Sequence, residues 1–391
     1  MKKILFIHHA KGWGGAPLNM INIIKNLDQN QYEVEVLLLK HSVVADKLNE
    51  NNIKFSLASS KYYKNFYQYI SHSEAGYIRW YQIFRFLKLW SFWLLSRYYF
   101  AEKELKKHSY DIVHLNSSVL TDWIGPAKQY GKVVIHIQEP FHRGRWDIFY
   151  HCFTTQMRKY ADKIIAISED NARRVGIPEK TEVIYNYAEV PQVPTPEYSY
   201  TSKKVLYLGG AAYIKGFYTL VEALDYLETG VLVYFGGNYT EKAGTRNLLK
   251  QIIQRVLRYG RKRKMAIDKM RNHINAIEKG MVFDVPRYLD EVCCLVSPFA
   301  VSHFSRPVLE AHLHQKPSIV SNVQGMEEII QHDKNGLIVP KNDAKALADA
   351  INWLTFDGDR AKRLGEEGYR TAVRQFSPEN IHKFQLLYDK L

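Results

Sequence analysis

Short apolar runs rich in β-branched residues recur along the chain, each followed by a segment of helix length. In the first half these are Ile4–Ile7, Val34–Leu39, Asp111–Leu115, Val133–Ile137 and Lys163–Ile167. Strands buried on both faces read as continuous apolar runs, and their alternation with helices implies parallel strands joined by crossovers. A stretch rich in proline and small polar residues, PQVPTPEYSYTSKK within Glu189–Lys204, then reads as a linker. The pattern restarts with Val205–Leu208, Val231–Tyr234, Gly280–Phe283, Leu295–Ser297, Ser318–Val320 and Gly336–Val339, separated by amphipathic segments such as Tyr218–Leu227. Ile381, Phe384, Leu387 and Tyr388 recur at helical spacing in the last segment, Asn380–Leu391.

The class expected from this pattern is α/β, with two Rossmann-like doubly wound domains over residues 1–195 and 196–375. A terminal helix over 376–391 is expected to cross back onto the first domain. Two such domains facing each other would leave a deep cleft at the carboxyl ends of both sheets, where open α/β folds bind ligands. The length of 391 residues suits two cores, and 46% hydrophobic with 24% charged residues is globular composition.

The opening MKKILFIHH has a basic start, but Ile4–Ile7 is too short for a signal peptide and reads as a first strand. The most apolar stretch is interrupted by Arg85, Lys88 and Arg97, so no membrane span is expected. Cys152, Cys293 and Cys294 have neither metal-ligand nor disulfide-framework spacing and read as reduced core residues, in keeping with a cytoplasmic protein.

Candidate chemistry starts at the turns after the first strand of each domain. Gly12-Trp13-Gly14-Gly15-Ala16 precedes the helical segment Leu18–Leu27, either as an anion-binding turn or as a steric requirement of the bend. Gly209-Gly210-Ala211-Ala212-Tyr213-Ile214-Lys215-Gly216 is its counterpart, where Lys215 can neutralise a diphosphate. A third stretch runs from Ser302-His303-Phe304-Ser305-Arg306 through Glu310, then Lys316-Pro317 and Gly325-Met326-Glu327-Glu328. Glu310, early in a helix after a strand, can accept hydrogen bonds from vicinal ribose hydroxyls.

The order FSRPVLEA, QKPSIVSN, GMEEII and NGLIVP, with KKVLYLGG, IKGF, VIYNY and DIVHLNSS upstream, resembles the family-four retaining glycosyltransferases. That resemblance covers nearly the whole chain and implies the GT-B fold, a nucleoside-diphosphate sugar as donor and a lipid-linked or polysaccharide acceptor. It implies no cofactor and no metal. By resemblance Glu310 is the ribose ligand and Lys215 a phosphate ligand. Two departures stand out: Ser302 occupies the position of a glutamate near the sugar, and Gly210 that of an arginine five residues before the lysine.

Arg306 either replaces the missing guanidinium or holds its own loop, and His303 and Phe304 are expected to line the sugar or leaving-group side. In the first domain, Val133–Pro140 resembles the family's strand ending in a cleft-facing histidine and an acid, with Gln138 at the histidine position. His136 falls on the same strand face as Gln138. Glu139 either activates the acceptor hydroxyl or pairs with His142, Arg143 or Arg145. The region Ala276–Pro286 is expected to meet the base, and Asp357-Gly358-Asp359 reads as a solvated helix start rather than a metal motif.

A formal net charge of +14 is concentrated in Lys242–Arg271, where Leu248, Leu249, Ile252, Ile253, Val256 and Leu257 predict an amphipathic basic helix leading into Arg261-Lys262-Arg263-Lys264. Tyr77–Phe100 mixes Trp80, Tyr81, Phe84, Trp90, Phe92, Trp93, Tyr98 and Tyr99 with Arg79, Arg85, Lys88 and Arg97. Basic and aromatic residues together suit the headgroup layer of an anionic bilayer; the alternative is a helix buried on the first sheet. The expected localisation is peripheral, on the cytoplasmic face of a membrane. Nucleic-acid binding has no recognisable module in its favour. A nucleotide-sugar epimerase and a silent nucleotide-sugar-binding paralogue remain as alternatives, the latter motivated by Ser302 and Gly210.

Overall fold

The computed structural model describes residues 1–9, 12–74, 78, 82–106, 109–144, 147–186, 196–240, 259–377 and 379–391, without the side chains of 198, 259 and 260. The expected amphipathic helix around Leu248–Leu257, Arg145 and most of the linker lie outside the described residues. The chain divides into two compact units, Met1–Tyr187 with Pro378–Leu391, and Ala188–Ser377.

The first unit is built on β1 (Lys2–His8), β2 (Tyr32–Leu38), β3 (Phe55–Leu57), β4 (Ile112–Leu115), β5 (Lys132–Ile137), β6 (Lys163–Ala166) and β7 (Thr181–Val183). They form a parallel sheet in the order β3-β2-β1-β4-β5-β6-β7. Side chains alternate even though the runs look continuous. Leu5 and Ile7 face a core with Trp93, Trp123 and Phe153, whereas Ile4 and Phe6 face the opposite core with Met20 and Ile23. Helix Asn380–Asp389 lies on that second face and buries Ile381, Phe384, Leu387 and Tyr388. Removing a fully buried Phe or Tyr ring of this kind costs about 3–5 kcal/mol.

The second unit contains β8 (Lys204–Tyr207), β9 (Leu232–Gly236), β10 (Ala276–Gly280), β11 (Cys294–Ser297), β12 (Ser318–Ser321) and β13 (Gly336–Val339), parallel in the order β10-β9-β8-β11-β12-β13. In each sheet the winding reverses beside the first strand, between β1 and β4 and between β8 and β11. The crevice at the carboxyl ends of such a pair is where open sheets place their ligands.

Several expectations need correction. The strand expected at Gly280–Phe283 lies at Ala276–Gly280, because Gly280 has φ +66° and ends it, leaving Met281 and Phe283 exposed. The three-residue strands β3 and β7 escaped notice, being too short to show a pattern. Trp93 is not a surface residue: it is 4% exposed, stacks on Trp90 with centroids 5.2 Å apart, and donates from Nε1 to Thr121 Oγ1 at 3.1 Å. Arg97 is held in place by a bond from Nε to Gln156 Oε1 (3.0 Å) and packs its guanidinium over Gly125. The opposite side of the same helix, Ile83–Leu95, exposes Phe84, Leu87 and Leu95 with Arg85 and Lys88.

Asp357 accepts from Arg360 N–H at 3.0 Å and caps helix Gly358–Gln375, so Asp357-Gly358-Asp359 is a helix start, as its sequence suggests. The cysteines are free thiols, Cys293 and Cys294 buried. No helix among the described residues is long and apolar enough to cross a membrane.

Candidate functional site

In the second unit the chain leaves β8 through Gly209 and Gly210, and backbone contacts set the loop's shape. Gly210 N–H bonds Gly236 O at 3.1 Å, and Gly237 N–H bonds Gly280 O at 2.6 Å, which ties together the carboxyl ends of β8, β9 and β10. Gly210 has φ +57°, and a Cβ there would lie 3.0 Å from Asn238 N. Gly216, at φ +75°, comes so close to the chain after β11 that a Cβ would lie 1.7 Å from Pro298 O. This approach, with Ala300 N–H bonded to Ile214 O at 3.0 Å, brings Lys215 beside the β11 loop.

A narrow cavity there is lined by Tyr207, Gly209, Lys215, Ser297, Phe299 and Pro307. Among the described residues no carboxylate lies within ion-pair distance of Lys215, and burial holds its ammonium below the usual lysine range. A part-buried cation without an acid partner among the described residues is suited to receive an anion. His303 stacks on Phe299 with ring centroids 3.9 Å apart. Burial, and secondly the Lys215 charge, push its pKa down to about 3, so its imidazole is neutral.

Helix Arg306–Leu313 begins behind this loop. Arg306 Nε donates to Glu310 Oε1 at 2.8 Å, while Arg306 Nη1 is buried with no partner among the described residues. Ser302 lies part-exposed in the β11 loop. Phe304 does not line this site: it is buried and packs edge-on against Phe376 at 5.8 Å. Arg263 likewise is not free surface, since its guanidinium reaches Ala211 O and Thr240 O. Arg261, Lys262 and Lys264 on the same helix are exposed.

The first unit has its own polar cluster at the β1/β4 crevice. Glu139 follows β5 and is clasped by two serines that follow β4. Ser117 Oγ donates to Oε1 at 2.5 Å, and Ser118 donates to Oε2 from Oγ at 2.9 Å and from N–H at 3.2 Å. Burial pushes the Glu139 carboxyl above the ordinary range, and the serine donors pull it partly back. Gln138 donates to Asn116 Oδ1 at 2.6 Å, and Asn116 Nδ2 meets His8 Nδ1 at 3.1 Å. Glu139 is therefore not paired with His142, whose Nδ1 lies 2.7 Å from Asp147, or with Arg143, which donates to Arg173 O.

His136 is not at this crevice. It sits inside the sheet, against His114 (3.3 Å) and the Phe384 ring, with burial lowering its pKa to about 3. Sequence reasoning missed His8, His9, Asn19 and Asn116. His8 Nε2, His9 Nδ1 and Asn19 Nδ2 are buried without partners among the described residues, in the neighbourhood of the glycine turn. The polar run HLNSS was the available signal. Among the described residues nothing lies within 4 Å of a Cβ added at Gly14 or Gly15, and the start of helix Gly15–Asn26 has no side-chain cap. No steric need for glycine shows at these two positions among the described residues, and the uncapped helix start is the arrangement that suits an anion.

Two doubly wound units, each with a polar crevice at its switch point and one carrying a part-buried lysine with no acid partner among the described residues, define the class of GT-B nucleotide-sugar proteins. Residues 13–189 match the family model Glycosyltransferase Family 4, and residues 198–371 match Glycosyl transferases group 1. The chain belongs to the family-four glycosyltransferases. It is 26% identical over 178 residues to a lipopolysaccharide core biosynthesis glycosyltransferase of Rhizobium meliloti, covering 45% of this chain and 46% of that protein. Against an O-antigen chain mannosyltransferase of Escherichia coli it is 23% identical over 176 residues, 45% and 43% of the two chains. The matches thus span less than half the length of these curated relatives. Over the full length of both chains it is similar in fold to Anabaena HepE in complex with UDP-glucose, with TM-score 0.73 and 17% identity.

Proposed function

We propose that the protein transfers a glycosyl residue from a nucleoside-diphosphate sugar to a lipid-linked or polysaccharide acceptor of the cell envelope, with retention of anomeric configuration. The observation that carries this is the part-buried Lys215, without an acid partner among the described residues, which lines one cavity with Pro307 at the start of the helix that carries Arg306 and Glu310. In this reading Glu310 accepts from the ribose hydroxyls. Lys215 and the unused Nη1 of Arg306 hold the β-phosphate. As the bond from the anomeric carbon to the β-phosphate oxygen breaks, they stabilise the charge that develops on that oxygen. The acceptor oxygen bonds to the anomeric carbon on the same face, and its proton passes to the departing phosphate. Glu139 orients the acceptor hydroxyl. Charge comes from side chains throughout, so the scheme needs no metal ion.

Contact with an anionic membrane on its cytoplasmic side fits the exposed Phe84, Leu87, Leu95 and Tyr98 beside Arg85 and Lys88. Similarity to lipopolysaccharide and O-antigen enzymes supports a cell-surface acceptor. Ser302, with no charge to set beside an oxocarbenium ion, supports the second reading, a paralogue that binds donor without turnover.

The test is a thermal-shift panel of nucleoside diphosphates and nucleotide sugars on wild type, Lys215→Ala and Glu310→Ala, followed by donor-turnover assays. Stabilisation of wild type that both variants lose supports the donor site. If binding occurs without transfer or hydrolysis, the silent reading replaces the enzymatic one. Absence of any nucleotide effect on wild type overturns both.

A further inference from the structure

A third cluster lies in the first unit, outside both crevices. His72, His142 and Asp147 lie together, and one possible ligand atom from each falls within 4.8 Å of the other two. Asp147 Oδ2 is 2.7 Å from His142 Nδ1 and 3.5 Å from His72 Nε2. A tetrahedral zinc-class ion with bonds of about 2.0–2.1 Å sets its ligands roughly 3.3 Å apart, so only small movements separate these atoms from a coordination triangle.

The surroundings favour an ion over a set of chance contacts. Asp147 Oδ1 accepts from Tyr150 N–H at 3.1 Å, as the cap of helix Ile148–Tyr160, which fixes the carboxylate and turns Oδ2 alone towards both imidazoles. His72 is 1% exposed and ringed by Phe141, Phe149 and Phe153. Polar donors inside an apolar shell are the usual setting of a tight metal site. The His142 and Asp147 side chains are 16% and 14% exposed, which leaves a route for the ion and for a water as fourth ligand.

The rival arrangement is an ion-free clamp in which His72 Nε2 donates to His142 O at 3.0 Å and His142 alone bonds Asp147. It leaves Asp147 Oδ2 close to a second imidazole nitrogen that is engaged elsewhere. His72 Nδ1, buried with no partner among the described residues, is unpartnered in either arrangement and does not separate them. A cation at the meeting point would replace the contacts of His72 Nε2 with His142 O and of His142 Nδ1 with Asp147 by one shared partner.

We propose that His72, His142 and Asp147 bind a single divalent ion of the zinc, cobalt or nickel class. Two imidazoles and one carboxylate select borderline transition metals over magnesium or calcium, which require oxygen. The ion positions the chain and stands outside the transfer chemistry. Residues 140–144, which continue from Glu139, are held beside it by the Ser73–Phe141 bridge, by Glu74 N–H to Pro140 O at 3.0 Å, by Phe141 N–H to Asn171 Oδ1 at 2.9 Å and by Arg143 Nη1 to Arg173 O at 2.9 Å. None of this depends on the proposed transferase activity.

The test uses the full chain stripped with a chelator and titrated with Co2+ and Zn2+, read by the visible bands of bound cobalt, by calorimetry and by thermal unfolding. Wild type should take up one equivalent of Co2+ with bands of a low-symmetry site, displaced by Zn2+, and should unfold at higher temperature with the ion. His142→Ala and Asp147→Asn should weaken binding a hundredfold or more and lose the thermal response. Asp147→Asn keeps a capping side chain, so its fold is expected to survive. His382→Ala, an exposed histidine elsewhere, should bind as wild type does. Wild type that takes up no ion at submillimolar concentration, or variants that bind as tightly as wild type, would overturn the proposal.

Discussion

Arg306 donates from Nε to Oε1 of Glu310, one turn along the same helix at 2.8 Å, so the residue assigned to the ribose is oriented by the residue assigned to the diphosphate. The two assignments are coupled by geometry. Arg306→Ala removes a charged donor from the phosphate and frees Glu310 to rotate, whereas Arg306→Lys keeps the charge but loses the planar fork. Charge-assisted hydrogen bonds contribute about 1.5–3 kcal/mol each. Calorimetry should therefore show Arg306→Ala losing roughly 10- to 100-fold in affinity for the nucleoside diphosphate, and much less for the nucleoside. An equal loss for both would place Arg306 away from the phosphates.

Gly210 stands where the family resemblance would put an arginine, and its backbone explains the departure. At φ +57°, with Asn238 N 3.0 Å from any added Cβ, the position resists a side chain. Gly210→Arg should lower stability by about 1–3 kcal/mol and leave nucleotide affinity no better than wild type. Gly216→Ala, aimed at Pro298 O, should be more harmful still, since the neighbour is backbone. Urea denaturation of both variants checks the order, and a gain in affinity from Gly210→Arg would show that the loop can adopt the other shape.

Both sheets were legible in the sequence because strands buried on two faces leave continuous apolar runs, as in Ile4–Ile7 and Ser318–Val320. What failed depended on contacts made at a distance. Trp93 and Arg97 carry the composition of a membrane helix, yet one is buried on the sheet and the other is fastened to Gln156. Composition cannot show which way a helix faces when both faces are aromatic. The places of Lys215 and Glu310 were readable from local order, Lys215 in the loop that follows β8 and Glu310 on the helix that follows the β11 loop. The serine clasp on Glu139 was not, because β4 and β5 bring residues 21 and 22 positions apart into contact. His136 was misjudged because strand alternation gives the face and not the depth.

Asp122 is fully buried, with one oxygen accepting from Tyr67 at 2.9 Å and the other unpaired among the described residues. Burial pushes its pKa up from 3.8 to about 7, against the pull of Ser96, Tyr67 and Arg97. A folded-state pKa above the unfolded value means that the folded state holds the proton more tightly. This contribution to stability is complete below about pH 4 and is lost as pH rises through 7. Between pH 5 and pH 8 the group accounts for about 2–3 kcal/mol. Asp122→Asn should remove that part of the pH dependence, and urea midpoints at the two pH values measure it. An unchanged slope would show that the carboxylate ionises without penalty.

Glu139 offers the sharpest separation of roles. Glu139→Gln keeps the shape and most hydrogen bonds of the clasp with Ser117 and Ser118 but cannot carry charge, so donor affinity should be untouched while kcat falls by about 10²-fold as the acceptor hydroxyl loses its orientation. Its carboxyl is raised by burial, and the serine donors oppose that rise by favouring the charged form. If ionised Glu139 is the working form, the acid limb of kcat should lie above the usual carboxylate range. Ser117→Ala and Ser118→Ala, each removing a donor, should move that limb to higher pH, with kcat approaching the wild-type value once the acid is ionised. A purely structural clasp would instead lower kcat equally at every pH. An acid limb that stays in place while both serine variants lose activity would show that the charge of Glu139 takes no part in orienting the acceptor and that its clasp only shapes the crevice.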